Sequence, residues 1–249
     1  MLVLASTVHD PEAGLKWLSD LHLGELFGLF DKIILSASPL TNREYLKELK
    51  KAGVDVNVLS VNKPGLVYFD AVKRAYKTNA ITIFQCDFDR VLHWAHFFSS
   101  ELNKAAKEAL KHDYIVCERP PKEYKDHHEA LYETEQLPSE IIAKRLGEKK
   151  FHDYLSGCFV LSKKAARIAV EHGGSVGFQF WGYWPVLMKE KSIKLDYLFF
   201  KGLGWETPDR FQKEVAAAGG VEKWRENLST PAEWKKRVKM ARESVEEII

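Results

Sequence analysis

Short apolar runs without polar alternation recur along the chain, each followed by a stretch in which apolar residues return at helical spacing. Leu2 to Ser6, Lys32-Ile-Ile-Leu-Ser-Ala-Ser38, Val54 to Val61, Ala80-Ile-Thr-Ile-Phe-Gln-Cys86, Tyr114 to Cys117, Tyr154 to Leu161 and Ile193 to Phe200 read as strands. Between them, helices are predicted over Gly14 to Phe30, from Thr41 through Tyr45, Leu46 and Leu49 to a stop at Ala52-Gly53, over Tyr68 to Tyr76 and over Trp94 to Lys111. Ser139 to Leu146, Lys163 to His172 behind a Ser162 cap, and the segment after the aromatic run Phe178 to Trp184 read as helices too. Thr207-Pro208 and Thr230-Pro231 each look like a cap followed by proline at the first helical position, which predicts two amphipathic helices in the tail. Strands with no polar alternation are covered on both faces, so the fold class is α/β: a mostly parallel central sheet with helices on both sides.

Composition changes this picture little. The 249 residues suffice for one such domain, 1–249, and no Gly/Ser linker or repeat divides it. A net charge of +2 gives no field that would hold nucleic acid, so no nucleic-acid partner is expected. No apolar run has the length of a transmembrane segment, and Met1 to Ala5 lacks a basic leader, so the expected location is cytoplasmic. Cys86, Cys117 and Cys158 lie in apolar segments without C-x-x-C spacing and read as buried free thiols.

The candidate chemistry centres on Asp87 and Asp89, directly after the fourth apolar run. Two carboxylates where a buried strand surfaces can be aimed at one ion, and hard cations such as Mg²⁺ or Mn²⁺ take oxygen ligands from one or two carboxylates, phosphates and water. In sheets of this class ligands bind outside the carboxyl ends of the strands, where this pair falls. The charged stretch from Arg119 to Lys150 is a candidate flap over such a site or a plain surface excursion.

Four features together resemble the A-type glycosyltransferases, the nucleotide-diphospho-sugar transferases, and most nearly their large family of small soluble members. These are the opening strand Leu2 to Ser6, Lys73-Arg74 on the helix before the acidic strand, Phe84-Gln-Cys-Asp-Phe-Asp89 in the place of the family's D-x-D, and Ser156-Gly157 before the strand Cys158 to Leu161. The resemblance covers residues 2–205 and implies a Rossmann-like nucleotide-sugar-binding half at 1–92, an acceptor half at 93–205 and C-terminal helices at 206–249. It implies a hexosyl transfer from a UDP- or GDP-sugar to an unknown acceptor, assisted by Mn²⁺ or Mg²⁺. Asp89 would bind the metal, and Asp87 the ribose or a metal-bound water. Ser6, Thr7 and His9 would lie beside the base and ribose, Lys73 or Arg74 would reach the pyrophosphate, and Ser156 and Gly157 would border the donor.

The chain departs from that pattern in its second half, where an inverting enzyme presents an acidic pair and this sequence reads Gln179-Phe-Trp-Gly-Tyr-Trp184. A general base must reach the acceptor, so Glu206 or Asp153 would substitute; a retaining mechanism would need none, and a third option is an inactive nucleotide-binding domain. No histidine follows His172 to serve as a late metal ligand. His172 reads as a complement to a helix C-terminus, and His127-His128 and His93 with His96 as surface or helix-face residues. Most of the aromatic run belongs in a core, with Trp181 or Trp184 the candidates to line an acceptor pocket. The rival from another class is a haloacid-dehalogenase-like phosphatase with Asp87 as nucleophile and Asp89 as acid/base, against which stand the three strands preceding the motif and the lack of a downstream acidic motif.

Overall fold

The computed structural model describes residues 1–249. In its first half strand and helix alternate: β1 (Leu2–Val8), α1 (Lys16–Leu29), β2 (Lys32–Ala37), α2 (Arg43–Lys51), β3 (Asp55–Val58), α3 (Pro64–Lys77), β4 (Thr82–Asp87) and α4 (Phe88–Ala109). The second half holds β5 (Tyr114–Glu118), α5 (Pro121–Lys125), α6 (Glu129–Arg145), β6 (Cys158–Ser162), α7 (Lys163–His172), α8 (Phe180–Glu190) and β7 (Leu195–Phe199). After a 3-10 turn at Lys201–Leu203 the tail forms α9 (Thr207–Arg210), α10 (Gln212–Ala218), α11 (Val221–Glu226) and α12 (Pro231–Val245).

All seven strands join one sheet in the order β3-β2-β1-β4-β6-β5-β7. Only β6 is antiparallel to its neighbours, β4 and β5. The chain winds outward from β1 through β2 to β3 and then returns to the other side of β1 as β4, so strand order reverses between β1 and β4. That reversal opens a crevice at the carboxyl ends of the two strands. Side chains alternate across the strands into two cores: Leu4, Phe84 and Cys117 pack on one face with Trp94, while Ala5, Ile83 and Val116 pack on the other with Trp184. The three cysteines are buried and free, as expected from their apolar surroundings.

Several boundaries differ from the sequence reading. Helix α4 starts at Phe88, directly after β4, so Asp87 ends a strand and Asp89 sits in the first helical turn. The charged stretch after Arg119 is no flap: α6 spans seventeen residues, buries Leu131, Glu135, Ser139 and Ile142, and packs against α8 and α12. The tail holds four helices rather than two. Thr230 caps α12 by accepting from Glu233 N at 3.2 Å, whereas Thr207 makes no such bond and lies inside α9. Tyr154 to Gly157 lead into β6 without joining it. No helix is long and apolar enough to cross a membrane.

Candidate active site

A cleft of about 650 Å³ opens at the reversal point, with Thr7 and His9 from the end of β1, Asp87 and Asp89 from the β4–α4 junction and Tyr68 from α3 in its wall. The direct passage from β4 into α4 sets the acidic pair: Asp87 keeps the strand's outward direction, and Asp89 points from the helix's first turn. A carboxylate there also complements the positive end of the helix.

Asp87 is held in place. Its Oδ1 accepts from Thr7 Oγ1 at 2.6 Å and from the Tyr68 hydroxyl, and its Oδ2 lies 4.0 Å from Arg90 Nε. Gly157, directly before β6, has φ +75°, and a Cβ there would come within 2.6 Å of Asp87 Oδ2, so only glycine leaves this oxygen room. Burial raises the Asp87 carboxyl above its ordinary range, against the pull of Arg90 and the two hydroxyl donors. Tyr68 is pushed well above its usual value, by burial first and then by Asp87, and stays a hydrogen-bond donor.

Asp89 is much freer. Its one hydrogen bond is accepted from the backbone N of Arg90 at 3.0 Å. Burial, then the charges of Glu206 and Asp87, push it up to about 7, with Arg210 and Arg90 opposing. The site thus holds more negative charge than its arginines neutralise.

Positive charge comes from the far end of the chain. Arg210 of α9 and Lys236, Lys239 and Arg242 of α12 line the same cleft. Arg210 Nη1 donates to His9 O at 2.6 Å, and α9 is pinned in place by Trp17 Nε1 donating to Asp209 O (3.1 Å) and by His93 on the Asp209 carboxylate (2.6 Å). Burial and Arg210 lower the His9 pKa. Helix α12 is anchored where Glu243 accepts from Phe178 N at 3.3 Å and where Gly182 lets Ser244 O approach. Sequence reasoning missed this whole wall. The available signal was the repeat of Lys236, Lys239, Arg242 and Glu243 along one face of α12.

Of the residues singled out from sequence, Thr7, His9, Asp87 and Asp89 line the cleft, and Gly157 abuts it through Asp87. Others are placed elsewhere. Ser6 is fully buried with its hydroxyl donating to Cys86 O, and Ser156 likewise donates to Cys117 O; both tie strands together. Arg74 is turned to the outer strands, bonding Asp55 and Leu35 O, while Lys73 lies 5.8 Å over the Phe69 ring, so neither reaches the cleft. Trp181 and Trp184 belong to the core: Trp184 is 0 % exposed and donates to Gly173 O at 2.7 Å, and Trp181 stacks on Phe178 at 4.6 Å. It is Phe178 and Gln179 that line the cleft instead.

Neither candidate base lines this cleft. Both Asp153 oxygens are taken by Arg119, through Nε at 2.6 Å and Nη2 at 2.7 Å, and the group is buried away from the cleft. Glu206, 7 % exposed, sits behind the acidic pair with Oε2 3.3 Å from Arg90 Nη1, acting on Asp89 by its charge. Of the histidine pairs, His93 and His96 lie on α4, half-buried and exposed, as expected, whereas His127 and His128 are buried rather than on the surface. No group of three or more His, Cys, Asp or Glu side chains is gathered as a metal cage.

No protein-family model matches the chain, and no curated protein matches it. Solved structures do. Glucosyl-3-phosphoglycerate synthase from Mycobacterium tuberculosis in complex with UDP aligns with a TM-score of 0.53 at 11% identity, over 80% of this chain and 69% of that one. The same enzyme with Mn²⁺, UDP-glucose and phosphoglyceric acid gives 0.52 at 11% identity over 96% and 80%, and with Mn²⁺, UDP and phosphoglyceric acid 0.53 at 11% over 90% and 78%. At such identity the likeness is one of fold, and the fold is that of the A-type nucleotide-diphospho-sugar transferases.

Proposed function

We propose that the protein is a glycosyltransferase that takes a sugar from a UDP-sugar with the help of a divalent cation, Mn²⁺ or Mg²⁺. One observation carries the reading: Asp89, poorly neutralised and free of side-chain partners, stands beside the well-held Asp87 in a large cleft at the strand-order reversal of this fold. The neighbours' UDP, UDP-glucose and Mn²⁺ support a UDP-sugar and a divalent metal over a GDP-sugar.

The residues present fit a hard cation. A half-buried carboxylate pushed up to about 7 by neighbouring acids is one whose ionised form a cation would favour, and a cage of three protein ligands is not required where phosphates and water complete the shell. Asp89 is the ligand in this reading, with Asp87 as its second contact or the partner of a bound water. A cation held there by Asp89 would neutralise charge on the diphosphate leaving group. The chain's own groups do the rest. Thr7 and Tyr68 fix the Asp87 rotamer, Gly157 keeps its second oxygen clear, and Arg210 and Lys236 supply lasting positive charge for the diphosphate. His9, with its lowered pKa, offers a neutral ring at the ribose end.

The test is release of UDP from a panel of UDP-sugars with Mn²⁺. The wild type releases it, and Asp89→Ala falls by 100-fold or more, on the order of losing one electrostatic contact to the leaving group. UDP binding with Mn²⁺ but no release from any UDP-sugar would instead select the binding-only alternative.

A further inference from the structure

The carboxyl edge of the sheet carries a second pocket that the donor reading leaves unused. Strand β6 lies between β4 and β5, pairing Cys86 with Cys158 and Val116 with Phe159, so Asp87 and Glu118 flank Gly157 on the same face of the sheet. Phe199, paired with Glu118, falls on that face as well. Two strand spacings separate the ends of β4 and β5, about 10 Å. The pocket there measures about 310 Å³ and is lined by Glu118, Arg119, Tyr124, Tyr132, Phe151 and Phe199.

Its walls are aromatic and open. Phe151 and Phe199 are 45 % and 58 % exposed, an unfavourable state for two large apolar rings lining one pocket. Tyr124 stands at 63° to Tyr132 and 55° to Phe151, with centroids 5.2 and 5.8 Å apart. Its floor is polar, buried and internally paired. Arg119 is bound by Asp153 and Glu135 at 2.6 Å each, and Glu118 accepts from Asp153 N at 2.9 Å and from His152 Nδ1 at 3.1 Å. The charged lining is balanced, Glu118 and Asp153 against Arg119 and Lys125, and of the two cations Arg119 is already bound by Asp153 and Glu135. That leaves only Lys125 uncommitted for an anion, whereas the main cleft brings Lys63, Arg210, Lys236, Lys239 and Arg242 to its wall beside four carboxylates.

A ligand with flat C–H faces and uncharged hydroxyls fits aromatic walls over such a floor. We propose that this pocket binds a neutral sugar ring, and, resting on the transferase reading, that the ring is the distal part of a carbohydrate acceptor whose reactive hydroxyl extends along the rim toward Asp89. The rings stack on the C–H faces, and the half-buried Tyr132 and Gln136 in the lining offer polar groups to the hydroxyls.

Saturation-transfer-difference NMR with methyl glucoside, methyl mannoside, methyl galactoside and maltose tests this on the full chain. At least one neutral glycoside receives saturation at its ring protons from the wild type and equally from Asp89→Asn. The signal falls at least fivefold in Phe151→Ala and in Phe199→Ala, both exposed positions whose near-UV circular dichroism reports an intact fold. Glucose 6-phosphate competes at least fivefold more weakly than glucose. No transfer to any glycoside, transfer that survives both phenylalanine substitutions, or a preference for the phosphorylated sugar overturns the proposal. UDP release, measured separately, judges the transferase reading: glycoside binding without UDP release keeps the sugar site and removes only its role as an acceptor site.

Discussion

Asp89 and Asp153 are both carboxylates set behind the carboxyl edge of one sheet, each near an arginine, yet they are in opposite electrical states. Asp153 shares two short charge-assisted bonds with Arg119, which also binds Glu135 and lies 4.7 Å over the Tyr124 ring. Asp89 has only a neighbouring amide, with Asp87 and Glu206 adding to its burden. A buried carboxylate with all its partners present holds the fold together, and one without them is kept against the fold's interest, which is the mark of a group that meets a ligand.

The largest effects expected are those that exchange these states. Asp153→Asn leaves Arg119 without its principal partner and should cost about 3–5 kcal/mol of stability, read by urea unfolding. Asp89→Asn should do the reverse: the apo protein melts higher at pH 8, by roughly 2–4 °C for each kcal/mol gained, while UDP release is lost. A fall in apo stability for Asp89→Asn would erase the contrast.

The same contrast has a pH signature. Asp89 rises from 3.8 to about 7 on folding, so the native state binds its proton more tightly than the unfolded chain. Its contribution to stability is fully present below pH 4 and is lost as pH rises through about 7. The difference in melting temperature between wild type and Asp89→Asn should therefore be small at pH 4 and full at pH 8, measured without metal or nucleotide.

Smaller effects sharpen the role of the surroundings. Gly157→Ala places a Cβ against Asp87 Oδ2 at φ +75°, with an expected cost of about 1–3 kcal/mol and a UDP–Mn²⁺ affinity reduced with it. Lys236→Ala should weaken UDP binding by about tenfold, near 1.4 kcal/mol, with little change in unfolding, because its partner Glu233 keeps Arg237 at 2.7 Å.

What could be read from the sequence follows the same division between local and distant causes. The strands of the first half were legible because burial on both faces leaves continuous apolar runs such as Ile83 to Cys86, and Asp87 and Asp89 were legible because they end one. Burial says nothing of direction, so Cys158 to Ser162 gave no sign of running antiparallel. Asp153 looked free because its partner Arg119 stands 34 positions away, and Trp181 and Trp184 looked available because a core and a sugar pocket use the same rings. Arg210 and Lys236 come to the cleft only through the path of the tail, which no local pattern encodes.

The most direct measurement is isothermal titration of UDP in the presence of Mn²⁺ into wild type and Asp89→Asn at pH 8. The account predicts saturable binding to the wild type that requires Mn²⁺ and at least a hundredfold weaker binding to the variant. Equal affinity in both proteins, or UDP binding by the wild type that ignores Mn²⁺, would contradict it.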